Sequence, residues 1–159
     1  MAFVDYNKDY MTSTGHALVG TIIAAKVGNP GLAIPIAIAS HFLCDALPHW
    51  DTGYAREKGS KKRFVAESVI DVILGLVLSY VVIALFFPAT SLLYAFLIII
   101  MAQLPDWLTA PYLFLDYKVA PFTWVYKLQK KFDSSIGLPW GFVSQVVLVA
   151  ALIFLVKVF

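Results

Sequence analysis

Apolar residues gather into five runs, at residues 14–27, 30–49, 65–87, 89–104 and 138–159, separated by short polar or proline-containing breaks. Thr12, Ser13 and Thr14 open the first run, and each can cap a helix N-terminus. Gly28-Asn29-Pro30 is a turn signal that places Pro30 at the first position of the next helix, with a kink expected near Pro35. Pro88 and Pro105 close the third and fourth runs. A membrane-spanning helix needs about 20 apolar residues. The third and fifth runs meet that length, and the second does if its polar last turn is counted. The first and fourth are short, as helices that are tilted, partly embedded or surrounded by others would be. The pattern predicts an all-α polytopic membrane bundle of about four to five apolar helices in one domain over residues 1–159. Aromatic residues crowd between Trp107 and Tyr126, where Pro111 and Pro121 interrupt any helix. That stretch reads as a re-entrant or interfacial segment, or as an ordinary loop.

Composition supports the membrane assignment. Hydrophobic residues make up 60% of the chain and charged ones 14%, with a mean hydropathy of +0.80, whereas soluble domains carry about 25% charged residues. The one cysteine, Cys44, excludes an intrachain disulfide. Residues 1–13 lack the basic and apolar regions of a cleaved signal peptide. No nucleic-acid partner is predicted; the net charge of +2 says little about partners, and the placement of the charges is more informative. Arg56, Lys58, Lys61, Lys62 and Arg63 lie between the second and third runs, and Lys118, Lys127, Lys130 and Lys131 between the fourth and fifth. If all five runs cross, both groups fall on one side. The positive-inside rule then puts the N-terminus and both long loops in the cytoplasm and the C-terminus outside an inner (plasma) membrane. The aromatics Trp50, Tyr54, Trp107, Tyr112, Tyr117, Trp124, Tyr126 and Trp140 share that side, as an interfacial belt would.

Within this layout His41, Asp45 and His49 recur every four residues at the end of the second run. Steps of four turn a helix by about 400°, so these side chains align on one face. Imidazole, carboxylate and imidazole on an apolar helix form a ligand set for a divalent metal; the bland alternative is a helix end whose polar groups meet carbonyls and water. His16 falls at the start of the first run, Glu67 and Asp71 just inside the third, and Gln103 and Asp106 at the end of the fourth. Four helices thus direct ionisable groups to one zone beneath the cytoplasmic surface. Charges within spans are expensive, about 2.5–3.5 kcal/mol each on insertion scales, which marks them as functional candidates. The expected metal ligands are His16, His41, Asp45, His49 and Asp71. Asp106 and Asp51 are expected as further ligands or a general base, and Glu67 as a supporting residue. The mixed nitrogen and oxygen donors suit zinc first, then manganese or iron, and suffice for one or two ions. Paired ions suit phosphoester hydrolysis. No nucleophile elbow, P-loop, dinucleotide fingerprint or zincin motif is present.

Thr14-Gly15-His16, the His41/Asp45/His49 triplet, Asp71 and Leu104-Pro105-Asp106 together resemble a group of small prokaryotic inner-membrane proteins labelled membrane-bound metal-dependent hydrolases, distantly similar to zinc-dependent phospholipase C. The likeness is specific at residues 40–51 and otherwise one of layout. Where many of that group carry histidines before the last helix, this chain has Lys130-Lys131-Phe132-Asp133-Ser134. The resemblance implies hydrolysis of a phosphoester in a lipid or amphiphilic substrate at the cytoplasmic face, with membrane lipids as partners. The rival expectation is a non-catalytic membrane protein, either an accessory subunit or a metal- or proton-handling chain, whose His/Asp cluster is structural.

Overall fold

The computed structural model describes residues 12–50, 60–134 and 136–159; the predicted features at Asp51, Tyr54, Arg56 and Lys58 lie outside them. The described residues form seven helices and no strand: α1 (Ser13–Lys26), α2 (Pro30–Asp45), α3 (Lys61–Phe86), α4 (Leu92–Ala102), α5 (Leu104–Phe114), α6 (Phe122–Phe132) and α7 (Trp140–Val158). α3 and α7 are long and apolar enough to cross a membrane, and a third span results if α4 and α5, bent by 51° at Gln103, count as one. The four to five spanning helices expected from the sequence are therefore reduced to two or three. The reason is length: α1 has 14 residues and α2 has 16, short of the roughly 20 that a crossing needs.

α1 is the hub, packed against α2, α3, α4 and α7. Small residues make this possible. A Cβ at Gly20 would stand 2.8 Å from the Ala102 Cβ and 3.1 Å from the Ile99 Cα, so only glycine lets α1 and α4 approach this closely. Ala17, Ala24, Ala33, Ala37, Ala95, Ile98, Ile99 and Ala102 form the core around that crossing. The outer faces of α3 and α7 expose Ile70, Ile73, Val77, Leu85, Val147 and Phe154. So continuous an apolar coat suits lipid rather than water.

Proline and polar caps set the breaks. Asn29 accepts a hydrogen bond from the Gly31 amide at 2.8 Å, opening α2 with Pro30 at its start as the turn signal predicts. α2 ends at Asp45, four residues before the end of the predicted run, because Pro48 disfavours helical backbone at Leu47. The stretch predicted as interfacial, re-entrant or loop holds most of α5 and the start of α6, with residues 115–121 non-helical between them, and the bent α4–α5 pair is either a broken span or a re-entrant loop. α6 turns Tyr126 and Gln129 inward and leaves Trp124 and Leu128 exposed. The Tyr126 ring stacks on Tyr112 of α5 with centroids 4.2 Å apart. Between them Asp116 adopts a left-handed backbone (φ 62) and accepts from Lys118 at 2.7 Å; that contact holds its carboxyl below the usual carboxylate range.

Candidate metal centre

The start of α1 is held by three other helices. Its first amides have no partner within the helix. Asp71 of α3 supplies one, accepting from the Ser13 amide at 2.6 Å, the Thr14 amide at 3.2 Å and the Thr14 hydroxyl at 2.6 Å. A carboxylate here also meets the positive end of the helix dipole. Gln103, at the α4–α5 break, donates to the Ser13 carbonyl at 3.0 Å and the Ser13 hydroxyl at 2.8 Å. Thr12 caps Gly15 and donates to Gln145 of α7 at 2.6 Å. These contacts set His16 in place one turn further on.

His16 is 1% exposed, and its Nδ1 has no hydrogen-bond partner among the described residues. Its Nε2 stands 3.1 Å from Asp45 Oδ1, and its ring stacks on that of His41, with centroids 3.8 Å apart at 19°. His41 and Asp45 share a face of α2 as their spacing predicts, with His41 Nε2 3.4 Å from Asp45 Oδ2.

The α4–α5 bend fixes the His41 tautomer. In a continuous helix the Ala102 carbonyl would accept from the Asp106 amide. Here Pro105 has no N–H, and the Asp106 amide turns to the Gln103 carbonyl at 3.0 Å. The freed Ala102 oxygen lies 2.8 Å from His41 Nδ1. A carbonyl only accepts, so Nδ1 carries the proton and the lone pair of neutral His41 is on Nε2. That nitrogen faces Asp106 Oδ1 at 3.4 Å as well as Asp45. His16, His41 and Asp106 each offer a ligand atom within 4.8 Å of the other two. Among the described residues this is the one such group, and it supports one ion where the sequence allowed one or two.

Other expected site residues are placed differently. Asp71 spends its oxygens on α1. Glu67 pairs with Arg63 on its own helix at 2.7 Å. His49 leaves the helical register because α2 has ended. Its amide and carbonyl join a backbone clasp, the amide donating to Ser134 at 3.3 Å and the carbonyl accepting from Ile136 at 2.7 Å. Its Nδ1 contacts the Leu47 carbonyl at 2.7 Å. Gly141 of α7 lies so close to this clasp that a Cβ would come within 2.5 Å of the Trp50 nitrogen. The sequence reading missed Gln129, whose Nε2 lies 2.9 Å from both His41 Nε2 and Asp106 Oδ1. Flanked by Leu128 and Lys130 in an amphipathic helix, it carried no signal that set it apart from a solvated amide.

The residues present could hold a metal ion. The buried His16 ring meets the Asp45 carboxylate at Nε2, at 3.1 Å, while its Nδ1 has no hydrogen-bond partner among the described residues, a cost that coordination would remove. The carbonyl-bound second nitrogen of His41 is the usual support of a metal-ligating histidine. No protein-family description matches this chain, and neither the curated proteins nor the solved structures contain a match.

Proposed function

We propose that this chain is a membrane-bound, metal-dependent hydrolase of a phosphoester in a lipid or amphiphilic substrate, working at the cytoplasmic face. His16, His41 and Asp106 would hold the ion, with Asp45 bridging the two imidazoles. The observation that carries the reading is the pair of buried imidazoles, one facing Asp45 at 3.1 Å and one with its lone pair fixed inward, converging with Asp106 within 4.8 Å. The donor set favours zinc, manganese or iron. Such an ion would acidify a water molecule and neutralise charge developing on a phosphoryl oxygen.

The chain's own residues supply the rest. His16, His41 and Asp45 are at most 1% exposed, whereas the Asp106 side chain is 29% exposed and marks the approach. In hydrolysis a water oxygen bonds to phosphorus, the bond to the leaving alcohol breaks, and the water proton needs an acceptor. Asp106 stands at the open edge where that acceptor is required. Lys61, Lys62 and Arg63 at the start of α3 favour an anionic head group.

The second reading is a non-catalytic accessory or metal-handling protein, favoured by the deep burial of His16, His41 and Asp45. Elemental analysis of protein purified in detergent without chelators, followed by assay on phospholipid and soluble phosphoesters, separates the two. Bound ion with metal-dependent phosphate release supports the hydrolase; bound ion without turnover favours the second reading; no ion overturns the metal centre.

A further inference from the structure

Gln129 is fully buried where α6 meets α5 and α2. Its amide joins two groups of partners. Nε2 lies 2.9 Å from His41 Nε2 and 2.9 Å from Asp106 Oδ1. Oε1 contacts the hydroxyl of Thr109, which also lies 2.6 Å from the Pro105 carbonyl.

Hydrogen accounting shows a conflict at the outer end. Thr109 has one hydroxyl hydrogen, while the Pro105 carbonyl and the amide oxygen can both only accept. A hydroxyl that serves Pro105 has none left for Gln129. At the inner end the NH2 group suits the site without an ion, giving one hydrogen to the His41 lone pair and one to Asp106. Those are the lone pairs that a cation would use.

A half-turn of the amide about its terminal bond reverses both ends. Nε2 then donates to Thr109, whose hydrogen goes to Pro105, and the outer conflict disappears. Oε1 takes the inner position beside His41 Nε2 and Asp106 Oδ1. With His41 neutral, only acceptors then converge there, an arrangement that is unfavourable unless a cation stands among them.

Resting on the metal reading above, we infer that Gln129 is a further ligand of the same ion through Oε1, and that its amide turns over when the ion binds. In the ion-free protein its NH2 group occupies the lone pairs of His41 and Asp106. With the ion bound, Thr109 is a positioning residue whose hydroxyl holds the amide oxygen inward. The set becomes two imidazole nitrogens, carboxylate oxygen and a neutral amide oxygen, which suits manganese, iron or zinc over a thiophilic ion such as Cu(I).

The test uses the full chain in detergent, stripped of metal and titrated with Mn2+, with the free ion read by EPR. Gln129→Leu should weaken binding about tenfold to a hundredfold, and Thr109→Val should do likewise while Thr109→Ser keeps wild-type affinity. Gln129→Glu presents oxygen at both ends. It should lower the ion-free melting temperature, bind Mn2+ more tightly than the wild type, and gain more thermal stability from the ion. Wild-type affinity in both Gln129→Leu and Thr109→Val would overturn this inference and leave the metal centre standing. A wild-type chain that binds no ion would overturn both.

Discussion

The imidazoles of His16 and His41, on different helices, stack with their centroids 3.8 Å apart, and the Asp45 carboxylate reaches both, at 3.1 and 3.4 Å. Neither helix makes this arrangement alone. α1 is seated by Asp71 and Gln103, and α2 is tied to the α4–α5 break through the Ala102 carbonyl. The centre is therefore a product of the bundle, and its members should behave as one unit.

Accordingly, His16→Ala and His41→Ala should each remove most of the bound ion, and the double variant should be little worse than either. Residues that share one centre are strongly non-additive. Metal content of matched detergent preparations measures this. Independent, additive losses would mean that the two rings do not serve a common ion.

Asp71→Ala should keep the ion while destabilising the protein. Its carboxylate caps two amides and a hydroxyl at the start of α1, and loss of such a cap costs about 0.5–2 kcal/mol. A melting temperature lowered by a few degrees with metal content retained is the expected result. Loss of the ion with an unchanged melting temperature would return Asp71 to the ligand set.

The contrast between Asp71 and Asp106 shows how far the sequence could be read. Both are carboxylates beside apolar runs, where a charge is costly. Which one meets the histidines depends on where helices cross. That is set by Gly20 and Ala102 at the α1–α4 crossing, and no linear pattern displays it. The four-residue spacing correctly placed His41 and Asp45 on one face. It failed for His49 because Pro48 ends the helix first, a local signal that was present and outweighed by periodicity. The apolar runs gave the helical, membrane-type character directly. Helix length was overestimated where polar turns were counted into spans. Gln129 and Thr109 are uncharged, and their importance comes from hydrogen-bond partners on other elements.

Pro105→Ala should weaken metal binding without touching a ligand. Restoring an N–H at this position allows α4 to run on into α5. The Asp106 amide would then compete with His41 for the Ala102 carbonyl, which His41 now contacts at 2.8 Å. Loss of such support for a ligating histidine typically weakens affinity about tenfold to a hundredfold. Mn2+ titration of this variant beside the wild type is the measurement, and unchanged affinity would show that the bend is dispensable for orienting the ring.

Topology can be tested by cysteine labelling in a Cys44→Ser background. The Phe64 ring near the start of α3 lies 5.2 Å, centroid to centroid, from that of Phe114 at the end of α5, so Ser60 and Asp116 lie at one level of the bundle. At the other end, the Lys157 ammonium sits 5.4 Å from the centre of the Phe87 ring, and the Tyr94 hydroxyl donates to the Val27 carbonyl. The ends of α1, α3 and α7 and the start of α4 therefore share the opposite level. Cysteines at Ser60 and Asp116 should react with an impermeant thiol reagent from one side only, and one at Phe159 only from the other. The positive-inside rule predicts that the first side, which carries Lys61, Lys62, Arg63 and Lys118, is the cytoplasmic one, and labelling of intact cells tests that expectation. Asp106 lies in the first turn of α5, and its side chain is the exposed one of the centre, at 29%. Labelling of Ser60 and Asp116 from opposite sides would break the bundle's alignment with the membrane and, with it, the proposal of a hydrolase at the cytoplasmic face.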